Sequence, residues 1–446
     1  MEGDHQSSPP SRRSGNYQPS LWDDCYIQSL PDSSLDATQA ILWEKLKEEV
    51  RHLIDHNKQK DIIELLEYIN VLCQLGISYH FESEIKNVLN FIAEDFLVRS
   101  FKNENGSFKV NIVNDVKGML SLYEASYLSV EGEDDLDEAM EFTTKHLSNY
   151  LKETLLIHPS LVEQISHALE LPLHWRMPRL HTRWFIDAYE RQENMNHSLL
   201  EFAKLDFNMF WRCRKEITKL ASLITTIDDI YDIYGSVEEL VLFTNAVVEW
   251  KITEIQSLPN CMKTALLILI NTMNDIACAF SKEKGLDILP QLKRAWGDQC
   301  KAFLVEAIWY NTRYTPTLNE YMKNAWLSVA VSLVLNVAYL LSEDLTEEAL
   351  NSLEFYFDVT RYSSIITRLY DDLETSTDEL QRGDIPKSIQ CHMNEANVSE
   401  FVALDHIRQL IKKYWKLLNG VFQMMCAKLT SNGAMHISIW RWVWKA

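Results

Sequence analysis

Three carboxylates, Asp228, Asp229 and Asp232, interrupt the apolar run from Leu223 to Gly235, which reads Leu-Ile-Thr-Thr-Ile-Asp-Asp-Ile-Tyr-Asp-Ile-Tyr-Gly. A carboxylate in apolar surroundings is costly unless a cation sits against it. On a helix Asp228 and Asp232 stand four apart and Asp229 and Asp232 three apart, so the acids share a face. Hard oxygen ligands in this pattern suit Mg2+ or Mn2+, above all when substrate phosphates complete the shell. Taken alone, the run also fits a solvated acidic turn, so a partner motif has to decide.

That partner is Asp371, Thr375 and Glu379, two steps of four that make one oxygen-bearing stripe on a helix. Two carboxylates and a hydroxyl suit a further Mg2+ that keeps waters or phosphate oxygens. Asp372 is the alternative ligand if the helix is rotated. Arg368, one turn earlier, could set its planar fork on a phosphate beside that metal. Arg382 and Lys387 follow on a loop. Two acidic helices facing across a bundle would form a metal-lined mouth for a diphosphate, with the metals acting as Lewis acids on the leaving group.

The elements that must position these residues read as helices throughout. Glycine is scarce, 12 in 446 residues, which argues against a sheet-rich fold. Residues 1–35 are Ser/Pro-rich and read as a mobile arm. Residues 36–170 read as an N-terminal helical domain with breaks at Gly76, Gly106, Gly132 and Pro159, and no cluster of chemistry-capable side chains. Residues 171–446 read as a second helical domain that carries both acidic motifs. Its expected helices include 197–222, 223–234, 236–256, 260–283, 287–310, 317–342, 345–378 with an internal break, and 397–428. The expected fold class is therefore all-α, in two helical domains.

Bulk properties exclude several functions. Lys plus Arg is 43 and Asp plus Glu is 64, a formal charge of −21. Such a surface repels nucleic acid and anionic membranes, and an anionic substrate would need local cations. No run of eighteen apolar residues predicts a membrane span. The eight cysteines form no C-x-x-C pair and read as free thiols. The first residues carry acids and no apolar core, unlike a secretory signal or a plastid transit peptide, so a cytoplasmic location is expected, with the plastid as the alternative if a transit peptide is missing.

The motifs together resemble the plant terpene synthases that ionise prenyl diphosphates. Asp228-Asp-Ile-Tyr-Asp232 matches the family's DDxxD, and Asp371 to Glu379 its (N/D)Dxx(S/T)xxxE. Arg12-Arg13 followed by eight residues and Trp22 matches its RRx8W. The stretches His174-Trp-Arg, Trp184-Phe-Ile-Asp-Ala-Tyr and Arg382-Gly-Asp-Ile-Pro-Lys-Ser-Ile-Gln are similar too, so the resemblance runs from about Arg12 to about Leu418. The tandem arginines with Tyr-Gln-Pro-Ser-Leu-Trp look most like the monoterpene branch.

The resemblance implies a structural N-terminal domain and a C-terminal helical bundle holding the site. It implies three Mg2+ (or Mn2+): Asp228 and Asp232 bind two, with Asp229 supporting, and Asp371, Thr375 and Glu379 bind the third. Arg368 holds the diphosphate, and Arg12 and Arg13 shield the cation when the arm folds over. Geranyl diphosphate is the implied substrate and a monomer is expected. Trp184, Tyr189, Trp309, Tyr362 and Tyr370 are candidate pocket walls, since aromatic faces stabilise cations. Farnesyl diphosphate is the alternative substrate, a chain-elongating prenyltransferase the alternative reaction, and a non-catalytic descendant the alternative class.

Three stretches depart from the family pattern. Helices usual between Asp206 and Thr225 are missing, and Arg212-Cys-Arg214 matches the family's Arg-x-Arg only by coincidence. Ile92 to Phe101 reads as a join across absent residues. The chain ends in an atypical aromatic run, Ile437-Ser-Ile-Trp-Arg-Trp-Val-Trp-Lys-Ala. Lost helices would leave apolar surface exposed.

Overall fold

A computed structural model describes residues 25, 29, 37–57, 62–92, 115–152, 159–209, 211–251, 255–342, 345–347, 350, 357–381 and 385–429. Among these residues the chain is helical with no strand. It forms two compact units, one built on Asp32–Trp211 and the other on Arg212–Val421. The arm with Arg12, Arg13 and Trp22, the join near residue 100 and the aromatic C-terminal run lie outside the described residues.

The first unit contains α1 (Ala37–Asn57), α2 (Ile62–Gln74), α3 (Glu82–Ile92), α4 (Val116–Ser126), α5 (Asp134–Lys152), α6 (Pro159–Glu170), α7 (Pro178–Glu190) and α8 (His197–Met209). Proline opens α6 and α7, where its missing N–H costs nothing. One core joins Trp43, Leu46, Val50 and Ile54 of α1 to Phe185, Ile186 and Tyr189 of α7 and to Leu199 and Phe202 of α8. Buried Asp206 on α8 pins this core. It accepts from Trp43 Nε1 at 3.3 Å and Tyr79 OH at 2.9 Å, and lies 2.7 Å from His80 Nε2. The sequence reading begins the second domain at 171, whereas α7 and α8 bury their apolar faces against α1. That long-range partner leaves no mark in the local pattern.

The second unit contains α9 (Trp211–Asp229), a π-turn (Ile230–Tyr234), α10 (Val237–Glu249), α11 (Asn260–Lys284), α12 (Leu289–Thr312), α13 (Leu318–Ser328), α14 (Val331–Leu340), α15 (Phe357–Gln381), α16 (Ser388–Ala396) and α17 (Glu400–Leu429). Helix α12 is central. It packs along α10, touches the π-turn and lies against α13, which in turn meets α15 and α16. Ile365 and Leu369 of α15 bury against Ile389 of α16 and Ala403, Ile407 and Ile411 of α17. This packing fixes the rotation of α15 and so the direction of its acids. Capping boxes at Ser236/Glu239 and Thr317/Glu320 start α10 and α13 by satisfying orphan N–H groups.

Two boundaries differ from the sequence expectation. The aspartate helix is continuous from Trp211 rather than starting at Leu223, and the chain passes from one unit to the other between Trp211 and Arg212. The expected helix 317–342 is two helices, broken at Ala330, whose φ of 62° is left-handed. That geometry costs a non-glycine residue about 1–2 kcal/mol. The freed Ser328 carbonyl accepts from Gln299 Nε2 of α12 at 3.2 Å, a partner invisible in the local sequence.

Asn260–Lys284 and Leu318–Leu340 are long and apolar enough to cross a membrane. The first buries Leu266, Leu269, Met273 and Phe280 in the core, and the second is interrupted at Ala330. The described cysteines, 25, 73, 261, 278, 300 and 391, are free thiols. Val241, Leu242 and Val248 on α10, Leu267 and Ile268 on α11 and Ile308 on α12 are exposed apolar residues of this unit.

Candidate active site

Asp228 and Asp229 end α9, and Asp232 lies in the π-turn, which closes with Gly235 N donating to Ile230 O at 2.8 Å. π-turns are rare and concentrate at functional sites. Glycine is required at 235 because a Cβ would stand 2.4 Å from Leu240 Cδ2 and 2.9 Å from Ile230 O. Asp232 is exposed, while Asp228 and Asp229 are partly buried.

The second motif lies on α15. Arg368 is 7% exposed and its fork is set by two carboxylates, Nε to Asp372 Oδ1 at 2.8 Å and Nη2 to Asp371 Oδ2 at 2.9 Å. Burial opposes its charge, but Tyr321, Asp372, Glu306 and Asp371 raise the guanidinium well above its ordinary range, so it stays cationic. Two of its five N–H donors make these contacts, leaving donors for an anion. Thr375 Oγ1 donates to Asp371 O at 2.9 Å, which leaves its lone pairs as ligand capacity. Glu379 lies on the same helix, its side chain outside the described residues.

Asp372 does something different from its neighbours. It has no exposure, Oδ1 accepts from Arg368 and from Tyr321 OH at 3.0 Å, and Oδ2 accepts from Ser388 N at 3.0 Å. Both oxygens are committed to donors from α13, α15 and the start of α16. The sequence reading offers Asp372 as an alternative metal ligand. The rotation of α15 instead turns it inward, where it orients Arg368.

The two motifs meet electrostatically. Burial, together with Glu306 and Asp229, raises the Asp228 carboxyl while Lys387 and Arg368 pull it down, which leaves it at about 7. Asp228 therefore lies within electrostatic range of Arg368 of α15 and of Lys387, the residue before α16. Lys387 is buried. Glu306 on α12 is also buried and accepts from Ser328 Oγ and from Asn324 Nδ2 at 3.3 Å. Sequence reasoning noted Lys387 on its loop without assigning it, and missed Glu306. The available signal was a lone carboxylate in the apolar run Phe303-Leu-Val-Glu-Ala-Ile-Trp309.

Among the described residues no three His, Cys, Asp or Glu side chains converge closely enough to cage a metal. The donor set nevertheless fits Mg2+. The ligands are hard oxygens, Asp228 is a partly buried acid raised by burial and by a neighbouring carboxylate, and Mg2+ habitually keeps waters and phosphate oxygens in its shell. Of the candidate wall residues, Trp184 stacks on His167 and Tyr189 hydrogen bonds to Asn196 N, both within the other unit. Tyr370 packs in the core around Ile365 and Leu369, and Tyr362 lies against Tyr414. Trp309 lines a cavity of about 470 Å3 with Tyr310, Asn311, Arg313, Tyr314, Thr315, Ile385 and Pro386. This cavity adjoins the site through the residues before Lys387, but none of the acids lines it.

The family model for the terpene synthase metal binding domain matches residues 202–417, which spans both motifs and Lys387. The model for the terpene synthase N-terminal domain matches residues 21–99 and 93–169. The chain belongs to the terpene synthase family. Its metal binding domain makes it a divalent-metal enzyme of that family. The synthase is 42% identical to the (-)-alpha-terpineol synthase of Vitis vinifera, covering 92% of this chain and 82% of that protein. It is also 42% identical to the chloroplastic myrcene synthase of Quercus ilex, covering 92% and 81%. Among solved structures, limonene synthase with 2-fluorolinalyl diphosphate superposes with a TM-score of 0.84 at 33% identity, covering 98% of this chain and 94% of that one. Isoprene synthase from grey poplar, solved with three Mg2+ ions and dimethylallyl-S-thiolodiphosphate, gives 0.78 at 34% identity, covering 95% and 93%.

Two further points follow. The alignment to the Vitis protein runs over 487 positions, more than the 446 residues here, so that relative carries internal residues this synthase lacks. The two pieces of the N-terminal match meet at residues 93–99, within the stretch where the sequence reading placed a join. The cytoplasmic expectation is overturned, because the Quercus relative and the geraniol synthase of Cinnamomum tenuipile are named chloroplastic, which points to the plastid. The acids among the first residues describe only those residues and do not fix a compartment.

Proposed function

We propose that this chain is a monoterpene synthase that ionises geranyl diphosphate and converts the resulting cation to a monoterpene, releasing diphosphate. The observation that carries the reading is the electrostatic coupling of Asp228 to buried Arg368 and Lys387, two cations within range of an acidic motif that itself needs cations. A diphosphate placed there meets the Arg368 fork, already aimed by Asp371 and Asp372, and the Lys387 ammonium. Asp228 and Asp232 on one side, with Asp229 in support, and Asp371, Thr375 and Glu379 on the other, are the residues assigned to hold Mg2+, three ions in all. When bound, those ions supply Lewis acidity and charge neutralisation at the leaving diphosphate.

Cleavage breaks the C1–O bond, and the bonding pair leaves with the diphosphate oxygen. The organic fragment remains an allylic cation, which closes to product by losing a proton or taking up water. Arg368 and Lys387 favour this step because their charge matches the charge that develops on the leaving group. Both are buried, which strengthens that interaction. Arg12 and Arg13 are assigned to the arm that shields the site from water.

The test is incubation of purified protein with Mg2+ and geranyl or farnesyl diphosphate, followed by analysis of volatiles and released diphosphate. Monoterpenes from geranyl diphosphate are expected. Sesquiterpenes alone would overturn the substrate assignment. Release from neither substrate would overturn the enzyme reading for this chain.

A further inference from the structure

The acidic π-turn depends on one buried residue that lies between the acids and belongs to neither motif's ligand set. Tyr231 is 3% exposed, and its ring packs against Phe243 of α10 and Phe303 of α12 with centroids 6.0 and 5.5 Å away. Its hydroxyl lies 2.7 Å from Thr244 Oγ1 on α10. Thr244 in turn donates to Leu240 O at 2.7 Å. A hydroxyl carries one proton. With the Thr244 proton on Leu240, Tyr231 must donate to Thr244. The three groups form one directed chain: Tyr231 O–H to Thr244 O–H to the Leu240 carbonyl. Every proton is used once, and such chains strengthen cooperatively in a low-dielectric interior.

This chain ties the π-turn to α10, and the ring contact with Phe303 seats it against α12. A π-turn inserts an extra residue into the helical ladder, so its neighbours must define its register. We infer that Tyr231 is a positioning residue, holding the aspartate turn between α10 and α12 so that Asp228 and Asp232 face the metal–diphosphate site. It acts through those acids, since its own side chain is enclosed by the helices. The inference rests on the function proposed above.

The test is calorimetric titration of Mg2+ into the full chain in the presence of inorganic pyrophosphate, with melting temperatures measured in parallel. Tyr231→Phe keeps the ring and removes the hydrogen bond to Thr244. It is expected to weaken Mg2+–pyrophosphate binding about three- to tenfold. Thr244→Val is expected to do the same, and the double variant to add little beyond either one, because both break a single chain. If the wild type binds but Tyr231→Phe binds within about twofold of it, the inference fails, whatever the melting temperature. If the wild type itself does not bind Mg2+ with pyrophosphate, the proposed function fails instead. Should Tyr231→Phe not fold, Thr244→Val decides by the same criterion.

Discussion

Replacing Asp372 by asparagine separates a buried anchor from a metal ligand. Asp372 is fully enclosed and receives Arg368, Tyr321 and Ser388, three donors on two oxygens. A carboxamide offers one acceptor oxygen and an NH2 that can only donate. However it is turned, at least one donor loses its acceptor, and the Arg368 guanidinium loses its buried counter-charge. Removing one partner of a buried pair costs about 3–5 kcal/mol. In a unit of this size each kcal/mol lowers the melting temperature by about 2–4 °C, so a fall of roughly 6–20 °C is expected. Asp371→Asn is the matched control. The Asp371 side chain is 42% exposed, and its ion pair with Arg368 is worth at most about 1 kcal/mol, a shift under about 4 °C. Asp371→Asn should nonetheless lose turnover, because the residue is assigned to metal. Calorimetric melts with kcat/KM at saturating Mg2+ measure both properties. Were Asp372→Asn to melt within about 2 °C of the wild type, or Asp371→Asn to be the less stable of the two, the division of roles on α15 would be refuted.

Other predictions concern different parts of the molecule. Lys387→Ala should raise the dissociation constant for Mg2+–pyrophosphate about ten- to hundredfold, the loss of a charged contact in a buried site, with less than about threefold counting against its role. Burial, with His167, Arg176 and His174 close by, lowers His181 to about 3, and burial likewise lowers His167 and His174 to about 4. Each folded value lies below the unfolded one of 6.5, so their contribution to stability is complete above about pH 6.5 and is lost as the pH falls towards 4. The urea midpoint of the first unit should therefore fall across that window, and His181→Leu should flatten the fall. An unchanged pH profile in that variant would show that other groups drive acid unfolding.

The spacing of Asp228, Asp229 and Asp232 and of Asp371, Thr375 and Glu379 is what led the sequence reading to a divalent-metal site, because side chains three and four apart on a helix share a face whatever surrounds it. Scarce glycine and helical periodicity were enough for the all-α class. Four features required tertiary structure. The rotation of α15 encloses Asp372 as an anchor and leaves Asp371 partly exposed, and that rotation comes from Ile365 and Leu369 packing on α16 and α17. The place of α7 and α8 in the first unit came from their burial against α1. Glu306 and Lys387 joined the site because α12 and the start of α16 come close to Asp228 only in the folded chain. At the Ala330 break Gln299, on another helix, donates to the freed Ser328 carbonyl. Each depends on contacts between residues far apart in the chain, and local pattern carries no record of such partners.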